Sequence, residues 1–314
     1  MHFQSAPPAV SASLPRSPIA PPGRAITRRG AFAVDSIGYL VPRGDFSGHV
    51  HSVFAQACNI ARRDTLLTLC APGVGEGPTL LRLARGAPPD LRAVFDVGEP
   101  VDCRQGCLRT NRTELRLLHA AVWRPAPQRD WLPLPRIDAH LGHAQRRLAQ
   151  RRRTHTSVID GEAAGVVSAL RDACRALDGE QALRHVARLI GWGEGLTPAG
   201  DDFLIGLIAG LDALVRGDER RRELRSAIAT ALRHGARRTT PIAAHYLQLA
   251  AGGHPTEPLV RLRNALLCED SVEGVDAALR NALAVGATSG ADTVSGLLAG
   301  LQAWLPAASI VETA

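Results

Sequence analysis

Hydrophobic positions follow two different spacings along the chain. Between residues 31 and 125 they form short apolar runs, separated by Gly, Pro and Asp, which is the pattern of β-strands. Between residues 137 and 305 apolar residues recur three and four positions apart, as in helices. Because the strands precede the helices without alternating with them, the pattern predicts an α+β protein: an N-terminal antiparallel β domain or barrel, then an all-helical domain.

The apolar runs define the predicted elements. Strands are predicted within residues 31–41, 49–57, 65–71, 79–83, 91–98 and 118–124. Helices are predicted at His140–Arg153, Gly161–Leu177, Glu180–Leu189, Asp201–Arg216, Glu219–His234, Pro241–Ala251, Pro258–Leu267, Val272–Leu283 and Ala291–Leu305. A proline-bearing linker separates the two regions. Residues 1–30, rich in proline and poor in apolar residues, are predicted to be a disordered tail that folding does not need.

The stretch 191–211, GWGEGLTPAGDDFLIGLIAGL, combines a glycine-rich loop with the start of a helix that is apolar on nearly every face. Such a helix must be surrounded by protein. In one interpretation Thr197 is only an N-cap, and Asp201 and Asp202 complement the helix dipole. That interpretation leaves the glycines unexplained. In the other, backbone N–H groups of Gly193, Gly195 and Gly200 face a ligand, as glycine loops at helix starts allow.

The segment 200–211 is repeated later in the chain. GDDFLIGLIAGL aligns without gaps on GADTVSGLLAGL, residues 290–301, with seven identities in twelve positions. Chance similarity between helices rich in Ala, Leu and Gly is one explanation. The other is that the two glycine stripes pack together, so that both helix starts face one pocket holding Asp202 and Asp292. Ser289 and Asp292 are predicted to form a capping box.

Strand 49–57 carries a candidate histidine. The period of two places His49 and His51 on one side of the strand. A polar face on a surface strand and a functional role for His51 both remain open at this point. The loop 73–78, GVGEGP, resembles a phosphate-binding turn, but glycine loops between strands are common.

Composition removes several classes of function. All 37 basic residues are arginine, so a P-loop lysine and a lysine Schiff base are excluded. The net charge is +7, but the arginine clusters are not interleaved with aromatic residues, and no nucleic-acid binding is predicted. The six cysteines and eleven histidines show no metal-ligand spacing. With no bilayer-length apolar run and no leader pattern, a cytoplasmic protein without membrane contact is expected.

The string GLTPAGDD, residues 195–202, resembles the signature of the AllH-like family, whose name-giving member is the H subunit of a bacterial oxamate carbamoyltransferase. That signature usually reads GLTPSGDD, and Ala199 stands at its serine position. The resemblance extends over about residues 31–305. Four further segments are similar to the family: HSVF at 51–54, GEGP at 75–78, TT at 239–240 and TSG at 288–290.

The resemblance implies carbamoyl transfer between oxamate or a similar amide and phosphate, with other subunits as partners. It implies that Asp201, Asp202 and Asp292 are catalytic, and Arg237 or Arg238 would be a cationic partner for phosphate. Substrate or anion contacts are expected at Gly193, Gly195, Thr197, Gly200, Thr239, Thr240, Ser289, Gly290 and His51. Mg²⁺ on Asp201 and Asp202 is the one cofactor considered. The alternative is a non-catalytic component that binds a ligand or stabilises a complex.

Overall fold

A β-barrel is followed by a bundle of helices in the computed structural model, which describes residues 30–127, 130–153, 157, 159 and 161–306. The α+β class and its order, barrel first, are therefore confirmed. Residues 1–29 of the predicted tail lie outside the described residues, and Gly30 is already the first residue of a strand.

The described residues form nine strands, and the first eight of them close the barrel. The strands are β1 (Gly30–Gly38), β2 (Phe46–Val53), β3 (Ala57–Arg62), β4 (Thr65–Cys70), β5 (Leu80–Leu83), β6 (Pro100–Arg104), β7 (Cys107–Arg109), β8 (Thr113–Arg116) and β9 (Ala121–Trp123). Their order is β5-β4-β3-β2-β6-β7-β8-β1, and β1 pairs back onto β5. Most pairs are antiparallel, but β4–β5 and β1–β8 are parallel, and β9 extends β1 in parallel.

The barrel interior is aliphatic, as the low aromatic content requires. All eight barrel strands contribute buried side chains: Val34, Ile37, Val50, Ile60, Leu67, Leu69, Leu81, Leu83, Val101, Leu108 and Leu115. Inward apolar residues alternate with outward polar ones along the strands, which is how a small barrel fills its interior.

Five of the predicted runs overlap β1, β2, β4, β5 and β9, but the strand predicted at 91–98 is wrong. Leu91–Ala93 form a 3₁₀ helix, and the Asp90 carboxylate accepts the N–H of Arg92 at its start (2.9 Å). Leu91 and Phe95, four residues apart, are both buried. Strands β3, β6, β7 and β8 were missed. The last three are short and offer only one or two apolar residues each, and the run 49–57 reaches only the first residue of β3.

All nine predicted helices are present among the described residues. They are α1 (Leu134–Arg152), α2 (Ala164–Ala176), α3 (Gly179–Leu189), α4 (Ala199–Leu214), α5 (Glu219–Gly235), α6 (Pro241–Ala251), α7 (Glu257–Cys268), α8 (Val272–Leu283) and α9 (Ser289–Trp304). Helix α1 begins six residues earlier than predicted, because Pro135 is accommodated in its first turn. No helix in the described part of the chain is long and apolar enough to cross a bilayer.

Two predicted helix caps are wrong. The residue before α4 is Pro198, and the Thr197 hydroxyl faces Ser289 instead of capping the helix (Oγ to Oγ, 2.7 Å). At α9 the preceding residue is Thr288, which makes no side-chain cap bond. Ser289 is the first residue inside that helix, so it cannot form a capping box with Asp292. The hydroxyls of Thr197 and Ser289 instead contact each other, between α4 and α9.

Helices α4 and α9 pack backbone against backbone, as the repeat predicted. A Cβ added to Gly206 would lie 2.7 Å from the Leu297 nitrogen and closer still to the Thr293 oxygen. A Cβ on Gly296 would meet the Leu207 nitrogen and the Phe203 oxygen in the same way. The contacts advance together along both helices, which are therefore parallel. Because the contacts of Gly206 and Gly210 have counterparts at Gly296 and Gly300, 90 residues along the chain, the pair has local two-fold pseudosymmetry.

Helix α6 attaches the helices to the barrel through His245. Its buried ring lies between the Leu66 N–H, which donates to Nδ1 (3.3 Å), and the Thr79 hydroxyl at Nε2 (3.0 Å). Burial lowers the pKa of His245 to about 4, so the ring is neutral and Nε2 carries the hydrogen. A second contact joins the Tyr39 hydroxyl to Nδ1 of His254 (2.8 Å). The barrel wall near β4 and β5 is thus held beside α6.

Candidate functional site

The loop 190–198 requires its glycines. Gly191, Gly193 and Gly195 have φ values of 74°, 107° and 92°, in the left-handed region that disfavours other residues. A side chain at Gly191 would also meet the Arg238 carbonyl oxygen at 2.7 Å. The structure places Gly193 and Gly195 beside the exposed tip at Glu194. That the N–H groups of Gly193 and Gly195 face a ligand stays a prediction.

Asp201 holds this loop in position. Its Oδ1 accepts the N–H of Gly191 (2.9 Å), and its Oδ2 accepts the hydroxyl of Thr239. Burial raises the pKa of Asp201, while the hydrogen bonds from Thr239 and Gly191 lower it. Both oxygens are therefore occupied by the protein itself. This geometry suits a positioning residue better than a group that contacts substrate.

Thr240 fastens the same loop from the start of α6. Its hydroxyl donates to the Leu196 carbonyl oxygen and accepts the N–H of Ala243 (3.1 Å), so it caps the helix. Thr239 and Thr240 therefore link the glycine loop to α6, and neither hydroxyl is left without a protein partner. Arg237 and Arg238, in the preceding 3₁₀ turn, are exposed.

Asp202 differs sharply from its neighbour. It is only 5% exposed, and its Oδ2 atom is buried without a hydrogen-bond partner among the described residues. Its pKa is raised to about 8, and burial is the largest cause. Hydrogen bonds from the Ser289 and Thr197 hydroxyls act in the opposite direction, and the charges of Asp292 and Asp201 contribute to the rise. Asp202 is therefore a neutral acid at pH 7 that holds an exchangeable proton.

The starts of α4 and α9 meet at this acid. Gly200 packs on the backbone at the end of α3, and Gly290 packs in the same way at the end of α8. Asp292, the counterpart of Asp202 in the repeat, is fully buried and acts on Asp202 through its charge. Ser289 occupies the repeat position equivalent to Ala199. The hydroxyl that Ala199 lacks at the start of α4 is thus present on Ser289, at the start of α9.

The barrel contributes residues that the sequence did not identify. Tyr246 on α6 is half-buried; burial raises its pKa, a hydrogen bond with Thr68 lowers it, and the charges of Cys70 and Asp202 raise it. Thr68 belongs to a hydrogen-bonded row with Asn59 and Ser52. Only two tyrosines occur in the chain, and one of them interrupts the apolar helix 241–251. A tyrosine at this position is the feature of the sequence that could have marked Tyr246 as a candidate site residue.

His51 lies at the end of this row. A register shift between Val50 and Ser52 makes His51 the extra residue of a β-bulge, so the expected alternation from His49 is broken there. Its Nδ1 contacts the Ser52 hydroxyl (3.1 Å), and the residue is half-buried while His49 is exposed. The alternation that placed His49 and His51 on one strand face is therefore interrupted between them. Ser52 and Asn59 connect His51 to Thr68 through hydrogen bonds.

The donor set does not favour the Mg²⁺ site that was considered. Within the described residues, no group of three or more His, Cys, Asp or Glu side chains is arranged to hold a metal ion. Asp201 has both oxygens bonded within the protein, and Asp202 is protonated near neutrality. A hard cation prefers several ionised oxygen ligands. The site is better suited to hydrogen bonding than to metal binding.

Asp202 should make folding stability depend on pH. Its pKa of about 8 exceeds the ordinary value of 3.8, so the folded state binds more protons between these values. Stability should therefore fall as pH rises from about 4 to about 8, with one pKa unit corresponding to about 1.4 kcal/mol. Asp202→Asn cannot ionise, and we expect a shallower decline in its free energy of unfolding. Denaturant unfolding at pH 5, 6, 7 and 8 measures this, and parallel curves for the two proteins would contradict it.

The fold and site together define a class: a barrel attached to a helical bundle, with a buried neutral acid where two repeated helices begin. Comparison with protein families gives a more specific result. Residues 31–122 match the model of the AllH family N-terminal domain, and residues 189–301 match the model described as oxamate carbamoyltransferase subunit AllH. The chain belongs to the AllH family. No curated protein matched the chain, and no solved structure matched it.

Proposed function

We propose that this chain is a subunit of a carbamoyltransferase that acts on oxamate, oxalurate or a similar small amide carboxylate, together with phosphate or carbamoyl phosphate. Asp202 is the observation that carries the proposal: a neutral buried acid with an unpartnered oxygen, at the start of two helices. The description of the matching family supports the same reaction class. Free cysteines among the described residues support a reducing, cytoplasmic setting.

The chemistry needs a stabilised oxyanion and an acceptor for one proton. In the forward transfer the amide nitrogen bonds to the carbamoyl carbon and the C–O bond to phosphate breaks. The proton that the nitrogen loses passes to the departing phosphate, which leaves as hydrogen phosphate. A neutral Asp202 donates a hydrogen bond to the carbonyl oxygen as negative charge develops on it. The dipoles of α4 and α9 favour the same charge. Asp201 positions the loop, and burial, reinforced by the charge of Asp292, keeps Asp202 protonated.

The charges around Asp202 favour a site that a partner subunit completes. The charged groups that act on the pKa of Asp202 are both carboxylates, Asp292 and Asp201. Phosphate needs cations. Arg237 and Arg238 are exposed beside the glycine loop and are one source, and a neighbouring subunit is the other. We therefore place the phosphate half of the reaction at the edge of the chain, where a partner can complete the site.

The test combines binding with reconstitution. Oxamate at about 100 times its dissociation constant should stabilise the purified full chain by roughly 2.7 kcal/mol, seen as a raised melting temperature. Transfer activity should require this chain together with the products of neighbouring genes. If oxamate, oxalurate and carbamoyl phosphate all leave the melting temperature unchanged, the proposal fails. If the other subunits turn over fully without this chain, it is instead a non-catalytic component of the complex.

A further inference from the structure

A cavity of about 860 Å³ opens where α2 and α9 end, and α1 and the start of α5 complete its walls. Its volume lies in the range of small-molecule sites, about 300–1,000 Å³. From Asp292 to Trp304 helix α9 advances by 12 residues, which is about 18 Å along the helix axis. The cavity is therefore too far from Asp202 to share a small ligand with it.

Hydrogen bonds between helices hold the walls of this cavity. Arg221 on α5 donates to the carbonyl oxygens of Leu214 (3.2 Å) and Trp304 (3.1 Å), so one guanidinium group joins the ends of α4 and α9. The indole of Trp304 donates to the carbonyl oxygen of Cys174 on α2 (2.8 Å). The walls are thus fixed by the protein itself, as in most small-molecule sites, which are largely formed before the ligand binds.

The wall contributed by α2 carries positive charge. Arg171 and Arg175 lie one turn apart on this helix, and both line the cavity. Arg175 donates to the Gln302 carbonyl oxygen (3.1 Å), which has no full charge to balance it, and Arg171 has its sequence neighbour Asp172 as an ion-pair partner at 3.4 Å. Like charges four residues apart on a helix repel each other. An anion bound between the two guanidinium groups would remove this repulsion.

The wall contributed by α1 carries negative charge. Asp138 lines the same cavity, and its Oδ2 atom is buried without a hydrogen-bond partner among the described residues. None of the arginines of the cavity therefore donates to that oxygen. A carboxylate without a partner in such a place is costly. Leu141, three residues further along α1, and Ala303 on α9 add apolar surface to the cavity.

We propose that this cavity binds a small zwitterion of the amino-acid class, its carboxylate between Arg171 and Arg175 and its ammonium group at Asp138. Arginine binds carboxylates through parallel N–H donors, and an ammonium group has three donors for a carboxylate. A simple anion would bring negative charge to Asp138, and a simple cation would meet two arginines. A ligand with both charges satisfies both walls. The inference does not depend on the proposed function, because no residue of the cavity belongs to the candidate site.

The probes are the common α-amino acids, β-alanine and 4-aminobutyrate, titrated calorimetrically into the full chain. Residues 307–314, which follow Pro306 at the edge of the cavity, are thus present in the experiment. We expect at least one of these zwitterions to bind. Its methyl ester lacks the carboxylate charge and its N-acetyl derivative lacks the ammonium group. Each derivative should bind about 10-fold or more weakly, because it loses hydrogen bonds to a charged group.

Two substitutions assign the two charges of the ligand to the two walls. Arg175→Gln should weaken binding of the amino acid by about 10-fold and remove most of the difference between it and its methyl ester. Asp138→Asn should do the same for the difference between the amino acid and its N-acetyl derivative. The matched controls are Arg184→Gln and Asp270→Asn, which remove exposed ion pairs outside the cavity and should leave the dissociation constant unchanged.

Melting temperatures without ligand verify that each variant is folded. The inference would be overturned if no amino acid bound to the wild-type chain, or if both derivatives bound as tightly as the amino acid itself. Wild-type affinity in both cavity variants would also overturn it, because the ligand would then lie elsewhere. None of these results would affect the proposed function, whose tests use oxamate and Asp202.

Discussion

Gly206→Ala should destabilise the protein by about 3 kcal/mol or more, although alanine normally favours a helix. The added Cβ would lie 2.7 Å from the backbone nitrogen of Leu297 and closer still to the Thr293 oxygen. Both atoms belong to the backbone of α9, so no side chain can move aside. Overpacking typically costs about 1–3 kcal/mol, and a rigid contact lies at the upper end. Gly296→Ala should behave alike, because its contacts with Phe203 and Leu207 mirror these.

Gly165→Ala provides the matched control. Gly165 is the second residue of α2, and a Cβ there has nothing within 4 Å. The same chemical change should leave the free energy of unfolding unchanged or raise it by up to about 0.5–1 kcal/mol. Denaturant unfolding of the three variants measures the difference. If Gly206→Ala and Gly165→Ala shift the free energy of unfolding by the same amount, α4 and α9 are not in backbone contact. The starts of the two helices would then not lie side by side.

Asp202→Asn should lower turnover of the reconstituted enzyme by about 100-fold, at the lower end of the range for loss of one oxyanion donor. Asparagine keeps the volume and the neutral charge that Asp202 has at pH 7, so the fold should survive. Its amide N–H is a far weaker acid than the carboxyl O–H, however, so it forms a weaker hydrogen bond to the oxygen on which charge develops. The effect should fall on the rate constant far more than on stability.

Asp212→Asn is the corresponding control on the same helix. Asp212 forms an ion pair with Arg225 near the C-terminal end of α4. Its replacement should lower stability and leave turnover per folded molecule unchanged. Asp202→Asn should therefore lose turnover and keep its stability, whereas Asp212→Asn should lose stability and keep its turnover. Full activity in Asp202→Asn, or its failure to fold, would mean that Asp202 is a structural residue.

Periodicity was sufficient to predict the helices and their central pair. The all-round apolar segment after Asp202 required burial, and the glycine stripes required a close partner, so the contact of α4 with α9 followed from the sequence. Local rules were less successful at the helix starts. Thr197 and Ser289 have the right residue types for caps, but tertiary contact between their hydroxyls takes precedence. The sequence pattern alone does not show that these hydroxyls contact each other instead of capping their helices.

The barrel half of the site could not be predicted. Tyr246 and Thr68 are 178 positions apart and belong to elements that look apolar and ordinary in the sequence. Their relation depends on how His245 fixes α6 to the barrel wall. The sequence singled out His51 as a candidate site residue, but it did not predict the β-bulge between Val50 and Ser52. Residues that act through long-range contacts carry little local signal.

The central claim is that Asp202 carries a proton at neutral pH in a site that binds the substrate amide. Carbon-13 NMR of labelled aspartate carboxyls, assigned by comparison with Asp202→Asn, tests it most directly. We predict that the Asp202 resonance titrates with a midpoint near pH 8, as its pKa of about 8 requires, and that oxamate shifts this midpoint. A midpoint near the ordinary value of 3.8, unaffected by oxamate, would contradict the account.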